Sequence, residues 1–227
     1  MCGRFAQAIP LGKLKKIDLF SDFGHSVTES YNVTPGENAG IIVYREKAQL
    51  VDSKWGFTGQ YVKKGTTPKP IINARSESVA EKFTFKKSFQ QYRCVIPVSG
   101  FYEWKVSGSV KESLFIYPEN SEDDDPGLLF LAGIYQVTTG NQLLFAVITR
   151  GSAGILKEIH DRMPVGIPKD MLKYWLNPQT PAREVLNIMN VKYVSDFRFH
   201  QVSRAVNNPA NKSKEFINPA LTDIDHS

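Results

Sequence analysis

The chain begins with the residues MCGRF, so a cysteine directly follows the initiator methionine. Removal of Met1 would leave an α-amine and a thiol on adjacent carbons of Cys2, a pair of nucleophiles that no internal cysteine offers. The α-amine titrates near ~7.7–8 and the thiol near ~8.5, so a usable fraction of both nucleophilic forms exists at neutral pH. A cysteine at position 2 can also be there for no chemical reason, so the rest of the chain must decide.

Four further stretches place polar residues where a plain core does not need them. They are INARSES (72–78), GFYEWK (100–105), EIHDRMPV (158–165) and FHQVSRAVNN (199–208). Asn73, Glu103 and His160 are candidates for hydrogen bonding and proton transfer. Each also has an ordinary structural explanation: Glu103, for example, shares a strand face with Phe101 and could point outward by strand alternation. Taken singly, none of them identifies a site.

Several function classes lack their usual patterns in this sequence. The two cysteines and four histidines have no metal-ligand spacing, so we expect no metal site. A phosphate-binding loop, a dinucleotide fingerprint and a nucleophile-elbow serine are missing as well, so we expect no cofactor. The opening residues do not resemble a secretory signal, and the longest apolar run, residues 127–135, is too short to span a bilayer. We therefore expect a cytoplasmic protein without disulfides that binds no membrane.

The net charge of +5 is concentrated in one part of the chain. Residues 52–93 contain nine Lys or Arg residues against three acidic residues, which gives this stretch a charge of +6. Its aromatic residues are Trp55, Phe57, Tyr61, Phe83, Phe85, Phe89 and Tyr92. A basic segment interleaved with aromatic rings suits a polyanion whose bases can stack. The alternative is a solvated lysine face over an ordinary core.

Runs of β-branched and aromatic residues between turn signals predict an α+β fold. They predict strands at residues 39–46, 48–57, 93–106, 111–118, 128–137, 142–149 and 197–204. Helices are predicted at 78–92, 168–176 and 180–189, with a short one within 11–20. Because most strands follow one another in hairpins, we expect a single domain over residues 1–227, with a curved, largely antiparallel, barrel-like sheet and a few peripheral helices. Residues 119–127 are expected to form an exposed acidic loop, and a flexible tail is expected from about residue 208.

Taken together, these stretches resemble the SOS response-associated peptidase (SRAP) family of abasic-site processing proteins. The matching motifs are MCGRF (1–5), YNVTPG (31–36), WGF (55–57), INAR with Glu77 (72–77), GFYEWK (100–105), IHDRMP (159–164) and VSRAVN (202–207). They occur in the family's order and extend over nearly the whole chain. One such motif would be weak, but seven in order are not expected by chance.

The resemblance implies that Cys2, once Met1 is removed, attacks an abasic site in single-stranded DNA. Its amine would condense with the aldehyde of the ring-opened sugar, and its thiol would close the imine to a thiazolidine, a DNA–protein crosslink that shields the lesion from strand cleavage. By the same resemblance Glu103 is the acid/base carboxylate, His160 a second proton shuttle, and Asn73 the residue that orients the lesion. The implied DNA-binding residues are Arg4, Asn32, Arg75, Arg162 and Arg204. The implied protein is a monomer that acts near the replication fork or nucleoid.

Two other functions stay open at this point. A thiol peptidase or autoprotease could use Cys2 as nucleophile, with His160 and Glu103 as base and orienting group. A binding module could recognise single-stranded or modified DNA without reacting with it. The resemblance also implies a Trp-rich segment after the WGF motif, but Tyr61 is the only aromatic residue in 58–65, so no preference for a DNA junction is predicted. Cys94 is expected to be a buried apolar residue without a chemical role.

Overall fold

The computed structural model describes residues 2–9, 11–17, 19, 28–58, 69–119, 127–191 and 197–220. The strands within these ranges are β1 (Phe5–Gln7), β2 (Ser30–Val33), β3 (Asn38–Tyr44), β4 (Ala48–Trp55), β5 (Asn73–Arg75), β6 (Arg93–Val98), β7 (Gly100–Ser107), β8 (Val110–Pro118), β9 (Leu129–Val137), β10 (Leu143–Gly151), β11 (Arg162–Pro164) and β12 (Phe197–Gln201). The α-helices are α1 (Leu11–Lys15), α2 (Phe83–Gln91), α3 (Leu172–Leu176) and α4 (Ala182–Asn190). Short 3₁₀ helices span Gly154–Glu158, Lys169–Met171, Arg204–Asn207 and Lys214–Ile217.

Five of the strands close into a ring. Strands β4, β3, β6 and β9 are antiparallel neighbours in that order. Strand β10 pairs antiparallel with β9 and parallel with β4, and so completes the circuit. The far end of β10 also carries β5, which is parallel to it, and β11, which is antiparallel. The predicted α+β fold with a curved, largely antiparallel sheet is therefore confirmed.

A second, antiparallel sheet packs on this barrel, in the order β12-β8-β7-β1-β2. Its inner face contributes Phe5, Phe101 and Ile116 to a core that it shares with the barrel. Its outer face carries Tyr102 and Phe115, which pack with residues of the C-terminal segment. Because successive strand residues point to opposite faces, the sheet has two buried faces, and strand β1, between β7 and β2, is enclosed on both.

The helices pack on the face of the barrel strands that points away from the second sheet. Phe85 and Phe89 of α2, Trp175 of α3 and Val185 of α4 all belong to the core on that side. The two cores alternate along each barrel strand, so that Ile41 and Ile42 belong to different ones. No helix within the described residues is long and apolar enough to cross a bilayer.

The predicted strand 93–106 is two strands, because the chain passes from the barrel to the second sheet at Ser99. At Gly100 an added Cβ would lie 2.4 Å from the Phe115 ring and 2.5 Å from the Ile116 carbonyl oxygen. Only glycine fits such a close approach. The run of apolar residues continues through this junction, so the sequence pattern does not reveal the break.

Three other predictions differ from the structure. Helix α2 begins at Phe83 and not at residue 78, since Ser78 and Val79 donate their N–H groups back to the Arg75 carbonyl in a series of turns. Residues 208–220, where we expected a flexible tail, pack on the domain, and Phe216 is buried. The short strands β1, β2, β5 and β11 were not predicted at all. Residues 120–126 of the predicted acidic loop lie outside the described residues.

Arg93, at the start of β6, joins the C-terminal ends of helices α2 and α3. Its buried guanidinium donates hydrogen bonds of 2.6–2.9 Å to the carbonyl oxygens of Phe89, Gln90, Trp175 and Asn177. These carbonyls lie at the C-terminal ends of α2 and α3, where the helices themselves supply no donors. Burial lowers the pKa of Arg93 to about 10, so the side chain stays charged at neutral pH.

We expect the substitution Arg93→Ala to lower the free energy of unfolding by about 3 kcal/mol or more, because it removes charged hydrogen bonds and leaves buried carbonyls without donors. Urea denaturation followed by circular dichroism measures this loss. Arg198→Ala is the matched control, since that guanidinium pairs with Glu119 at the surface and its removal should leave the midpoint nearly unchanged. An Arg93→Ala midpoint equal to that of the unmodified protein would contradict the assignment.

Candidate active site

Cys2 lies in the interior of the protein, immediately before β1. Its side chain has no exposed surface and belongs to the core between the barrel and the second sheet. The Asn73 side-chain amide, on β5 of the barrel, donates a 2.8 Å hydrogen bond to the Cys2 carbonyl oxygen. Burial raises the pKa of the Cys2 thiol far above its usual range, and the negative charge of Glu103 raises it further. The thiol is therefore protonated in the structure as it stands.

Glu103 faces the interior, which settles the question that strand alternation left open. It is 3% exposed and lies on the same face of β7 as the buried Phe101. Burial raises the pKa of this carboxyl group, while the positive charge of protonated His160 would lower it. A glutamic acid in such a place retains its proton at a higher pH than an exposed one, which suits a general acid.

A shallow cleft brings Glu103 and His160 together. Its lining consists of Phe101, Glu103, Ile116, Leu156, Ile159, His160, Arg162 and Met163. The apolar members strengthen electrostatic interactions between the polar ones, because they lower the local dielectric constant. The cleft thus joins residues that come from β7 and from the segment that leads into β11.

The His160 ring lies between a donor and an acceptor. Its Nδ1 atom is 2.9 Å from the backbone N–H of Arg162 and 2.7 Å from a carboxylate oxygen of Asp161. The amide can bond only an unprotonated Nδ1, whereas the carboxylate can bond only a protonated one. Proton gain and loss at this ring therefore exchange one existing partner for another, which is useful for a residue that shuttles protons.

Arg162 is engaged within the protein. Its guanidinium makes two hydrogen bonds to the Glu77 carboxylate, of 2.6 and 2.9 Å, and a third to the Thr149 carbonyl oxygen. The paired guanidinium lowers the pKa of Glu77 to about 2, although partial burial opposes this effect. Glu77 lies in the turn after β5, and Arg162 begins β11. The pair therefore connects the strand that carries Asn73 to the segment that carries His160.

The other four predicted DNA-binding residues fall into two groups. Arg4 and Asn32 donate to backbone carbonyls of the C-terminal segment, and Asn32 is fully buried. Arg75 and Arg204 are exposed to solvent. The DNA-binding role stays a prediction for all five residues, of which Arg4, Asn32 and Arg162 have partners inside the fold.

Only some residues of the basic segment 52–93 are exposed to solvent. Its exposed cations are Lys54, Lys69, Arg75, Lys82, Lys86 and Lys87. Arg93 is buried, and Lys63 and Lys64 lie outside the described residues. Most of its described aromatic residues, such as Trp55 and Phe89, belong to the cores and cannot stack on bases.

The sequence analysis did not single out two residues that contact the predicted ones. Thr149 accepts from Arg162, and nothing in its strand sequence signals this contact. The ring of Trp104 lies 5.3 Å from the Arg4 guanidinium, and the motif GFYEWK contained this residue without showing its partner. Cys94 is buried, as expected. Within the described ranges, no group of His, Cys, Asp or Glu could hold a metal ion.

Comparison with known proteins places the chain among relatives of full length. The profile of the family described as SOS response associated peptidase (SRAP) matches residues 1–209. The abasic site processing protein YoaM of Bacillus subtilis is 33% identical over 96% of this chain and 97% of YoaM. The abasic site processing protein YedK of Escherichia coli is 30% identical over 96% of this chain and 100% of YedK. A crystal structure of a Bacteroides thetaiotaomicron protein superposes with a TM-score of 0.76 at 20% identity, covers 97% of this chain and 100% of its own, and so shares its fold.

The Glu77–Arg162 pair should stabilise the fold in a pH-dependent way. The pKa of Glu77 is about 2 in the folded chain and ~4.3 in an unfolded one, so the benefit is present above about pH 4.3 and is lost as the pH falls toward 2. We expect Glu77→Gln to cost about 1 kcal/mol at pH 7, because solvent screens the half-exposed carboxylate, and roughly half as much at pH 3. Urea denaturation at both pH values tests this; a cost independent of pH would contradict it.

Proposed function

The chain belongs to the SOS response associated peptidase family, and from that premise we propose that it processes abasic sites in single-stranded DNA through a covalent bond to Cys2. The observation that carries the proposal is the meeting of three distant motifs: Asn73 hydrogen-bonds the Cys2 backbone, and Glu103 is close enough to alter the pKa of the Cys2 thiol. Cys2 thus lies near a hydrogen-bonding amide and an acid/base carboxyl group, as a catalytic residue would.

The proposed reaction begins after removal of Met1, which frees the α-amine of Cys2. The amine attacks the C1′ aldehyde of the ring-opened lesion, and loss of water gives an imine. The thiol sulfur then adds to the imine carbon, and its proton passes to the nitrogen, which closes a five-membered thiazolidine. Because sulfur and nitrogen sit on neighbouring carbons, the second step is intramolecular and fast. Ring closure removes the imine that would otherwise promote β-elimination of the 3′ phosphate, so the DNA strand stays intact.

Glu103 and His160 are proposed to move the protons of this reaction. A buried Glu103 that keeps its proton can protonate the sugar ring oxygen during opening and the hydroxyl that leaves as water. His160, in the same cleft, can take up or return a proton because its Nδ1 already has both a donor and an acceptor within reach. Neither step needs a metal or a cofactor.

Asn73 is proposed to orient the reacting groups. Its side-chain nitrogen is bonded to the Cys2 carbonyl, and its buried side-chain oxygen has no hydrogen-bond partner among the described residues. A buried acceptor without a donor is costly, so a bound group that supplies one would be favoured. The amine of the processed Cys2 or a hydroxyl of the lesion would be such a donor.

Arg75 and Arg204 are proposed to contact the DNA backbone. Both are exposed; Arg75 belongs to the motif that carries Asn73, and Arg204 belongs to the motif whose Val206 carbonyl accepts from Arg4. Phosphate contacts of this kind position a strand without reading its sequence, which suits a protein that must find a missing base. We also propose that the protein acts as a cytoplasmic monomer near the replication fork or nucleoid.

The first step of this chemistry uses the amine of Cys2 and not its thiolate, which favours it over the chemistry of a thiol peptidase. A cysteine peptidase needs a thiolate, which a nearby positive charge or a polar setting stabilises. Here burial and the charge of Glu103 both disfavour the thiolate. A binding module that does not react would leave the buried Glu103 without a use, and burying a carboxyl group is costly.

The test of the covalent step is an intact-mass measurement after incubation with a single-stranded oligonucleotide that contains one abasic site. We expect the mass of the Met1-free protein plus the oligonucleotide minus one water, in a heat-stable adduct. Cys2→Ala should give no adduct, and Cys2→Ser should give at most an unstable one, because its oxygen is a poorer nucleophile toward the imine. A Cys2→Ser adduct as stable as that of the unmodified protein would exclude the thiazolidine.

The role of Glu103 predicts a pH dependence. Because its pKa is raised, the acid form survives into a higher pH range, and the rate of adduct formation should fall as the pH rises through that pKa. Glu103→Gln should lower the rate at neutral pH by about 10²-fold or more and abolish this falling limb. Rates measured from pH 5 to pH 9 with saturating oligonucleotide decide the matter. A falling limb that persists in Glu103→Gln would assign it to another group.

The role of the exposed arginines predicts a salt dependence. Arg75→Ala and Arg204→Ala should each weaken binding and reduce the slope of log K against log salt by about 0.7, the value for one phosphate contact on a single strand. The measurement is fluorescence anisotropy with a Cys2→Ala background, which prevents the covalent step. Arg198→Ala is the control, because Glu119 already neutralises this exposed arginine. Slopes that stay unchanged for Arg75→Ala and Arg204→Ala would remove these residues from the DNA path.

A further inference from the structure

We propose that Arg4 and Asn32 are positioning residues, which use the C-terminal segment 204–212 as a clamp to fix Cys2 beside Glu103, and that they do not bind DNA. The inference rests on the proposed function, since it assigns the parts of that same site. We call residues 204–212 the clamp. It begins with a 3₁₀ helix, Arg204–Asn207, and its contacts lie 202 and 203 positions from Arg4 and 174 to 179 positions from Asn32.

Asn32, on strand β2, hydrogen-bonds the clamp. It has no exposed surface, and its side-chain nitrogen lies 3.1 Å from the Val206 carbonyl oxygen, 3.3 Å from that of Asn208 and 2.8 Å from that of Asn211. One amide group therefore lies within hydrogen-bond distance of three carbonyls of the clamp, between residues 206 and 211. With its donors used in this way and no contact with solvent, Asn32 has nothing to offer a phosphate.

Arg4 binds the clamp from the side of the nucleophile. Its guanidinium donates to the Val206 carbonyl oxygen and, at 3.5 Å, to that of Asn207. The same guanidinium lies over the ring of Trp104, at 5.3 Å from its centroid. The Trp104 indole N–H donates a 2.7 Å hydrogen bond to the Asn207 side chain, so the arginine, the ring and the clamp form one packed unit.

Lys212 fastens the far end of the clamp. Its ammonium group lies 2.7 Å from both carboxylate oxygens of Glu37 and also donates to the backbone carbonyl of Asn32. Glu37 in turn accepts from the Thr34 amide at 2.8 Å, next to β2. Since β2 pairs with β1, a clamp that is fixed to β2 also fixes the strand that follows Cys2.

The backbone of Arg4 passes this constraint on to the reacting groups. Its carbonyl oxygen accepts a 2.9 Å hydrogen bond from the N–H of Tyr102, the residue before Glu103. Arg4 follows Cys2 by two residues in the chain. Arg4 therefore joins the chain next to the nucleophile to the acid's strand through its carbonyl and to the clamp through its side chain. A shift of the clamp would move Cys2 relative to Glu103.

The role of Arg4 is tested by separating the rate of chemistry from the affinity for DNA. We expect Arg4→Met to lower the rate of adduct formation at saturating oligonucleotide by about 10–100-fold, because small displacements of reacting groups are costly. The salt slope of binding, measured on a Cys2→Ala background, should stay unchanged. Arg4→Lys should be nearly as slow as Arg4→Met, because an ammonium group cannot reproduce the fork of hydrogen bonds to the clamp. A fall of about 0.7 in the slope for Arg4→Met, restored by Arg4→Lys, would assign Arg4 to a phosphate and overturn the inference.

A second measurement needs no DNA and so separates this inference from the proposed function. Loosening the clamp should expose the Cys2 thiol, so Lys212→Met should raise the rate at which iodoacetamide modifies Cys2 by several-fold while the equally buried Cys94 stays protected. Peptide mass mapping assigns the two sites. Equal protection of Cys2 in Lys212→Met and in the unmodified protein would overturn the clamp, whereas an unmodified protein that never forms an adduct would overturn the proposed function and leave this result standing.

Discussion

The placement of strand β1 is the constraint on which the rest of the site depends. It lies between β2 and β7 in the second sheet, and the buried Gln7 ties it to the barrel. The Gln7 side chain donates to the carbonyl oxygens of Gly40 and Pro97 at 2.8 and 2.9 Å and accepts from the Gly40 amide at 2.7 Å. A buried amide with these partners has one allowed position, because any slip would leave polar groups unpaired. Cys2 thereby enters the interior from a chain end that would otherwise be free.

Buried ionisable groups differ between the candidate site and the contacts that hold its elements together. At Cys2 and Glu103 burial disfavours ionisation, because it raises the pKa of both the thiol and the carboxyl group. At Arg93 and Arg162 the charge is kept, because carbonyl oxygens or a carboxylate surround the guanidinium. The protein thus places groups with raised pKa values at the reacting centre and guanidinium groups at the joints between elements.

The arginines of the family motifs accordingly do different work. Arg4 and Arg162 connect elements that are distant in sequence, through carbonyl groups and Glu77, whereas Arg75 and Arg204 face the solvent. A guanidinium suits both tasks, since its planar fork of donors matches several acceptors at once. An arginine in one of these motifs therefore indicates membership of the family, but it does not by itself indicate a contact with DNA.

The sequence by itself determined the family, the α+β class and the long barrel strands, because each of these depends on local patterns: motif order, runs of β-branched residues and turn signals. It did not reveal β1, β2, β5 or β11, which are three or four residues long and too short for any periodicity to show. These strands exist because neighbouring strands complete their hydrogen bonds, and they carry or adjoin the residues of the site. The inward orientation of Glu103 and the carbonyl partners of Arg4, about 200 positions away, were likewise decided only by the tertiary structure, since strand alternation fixes which residues share a face but not which face is buried.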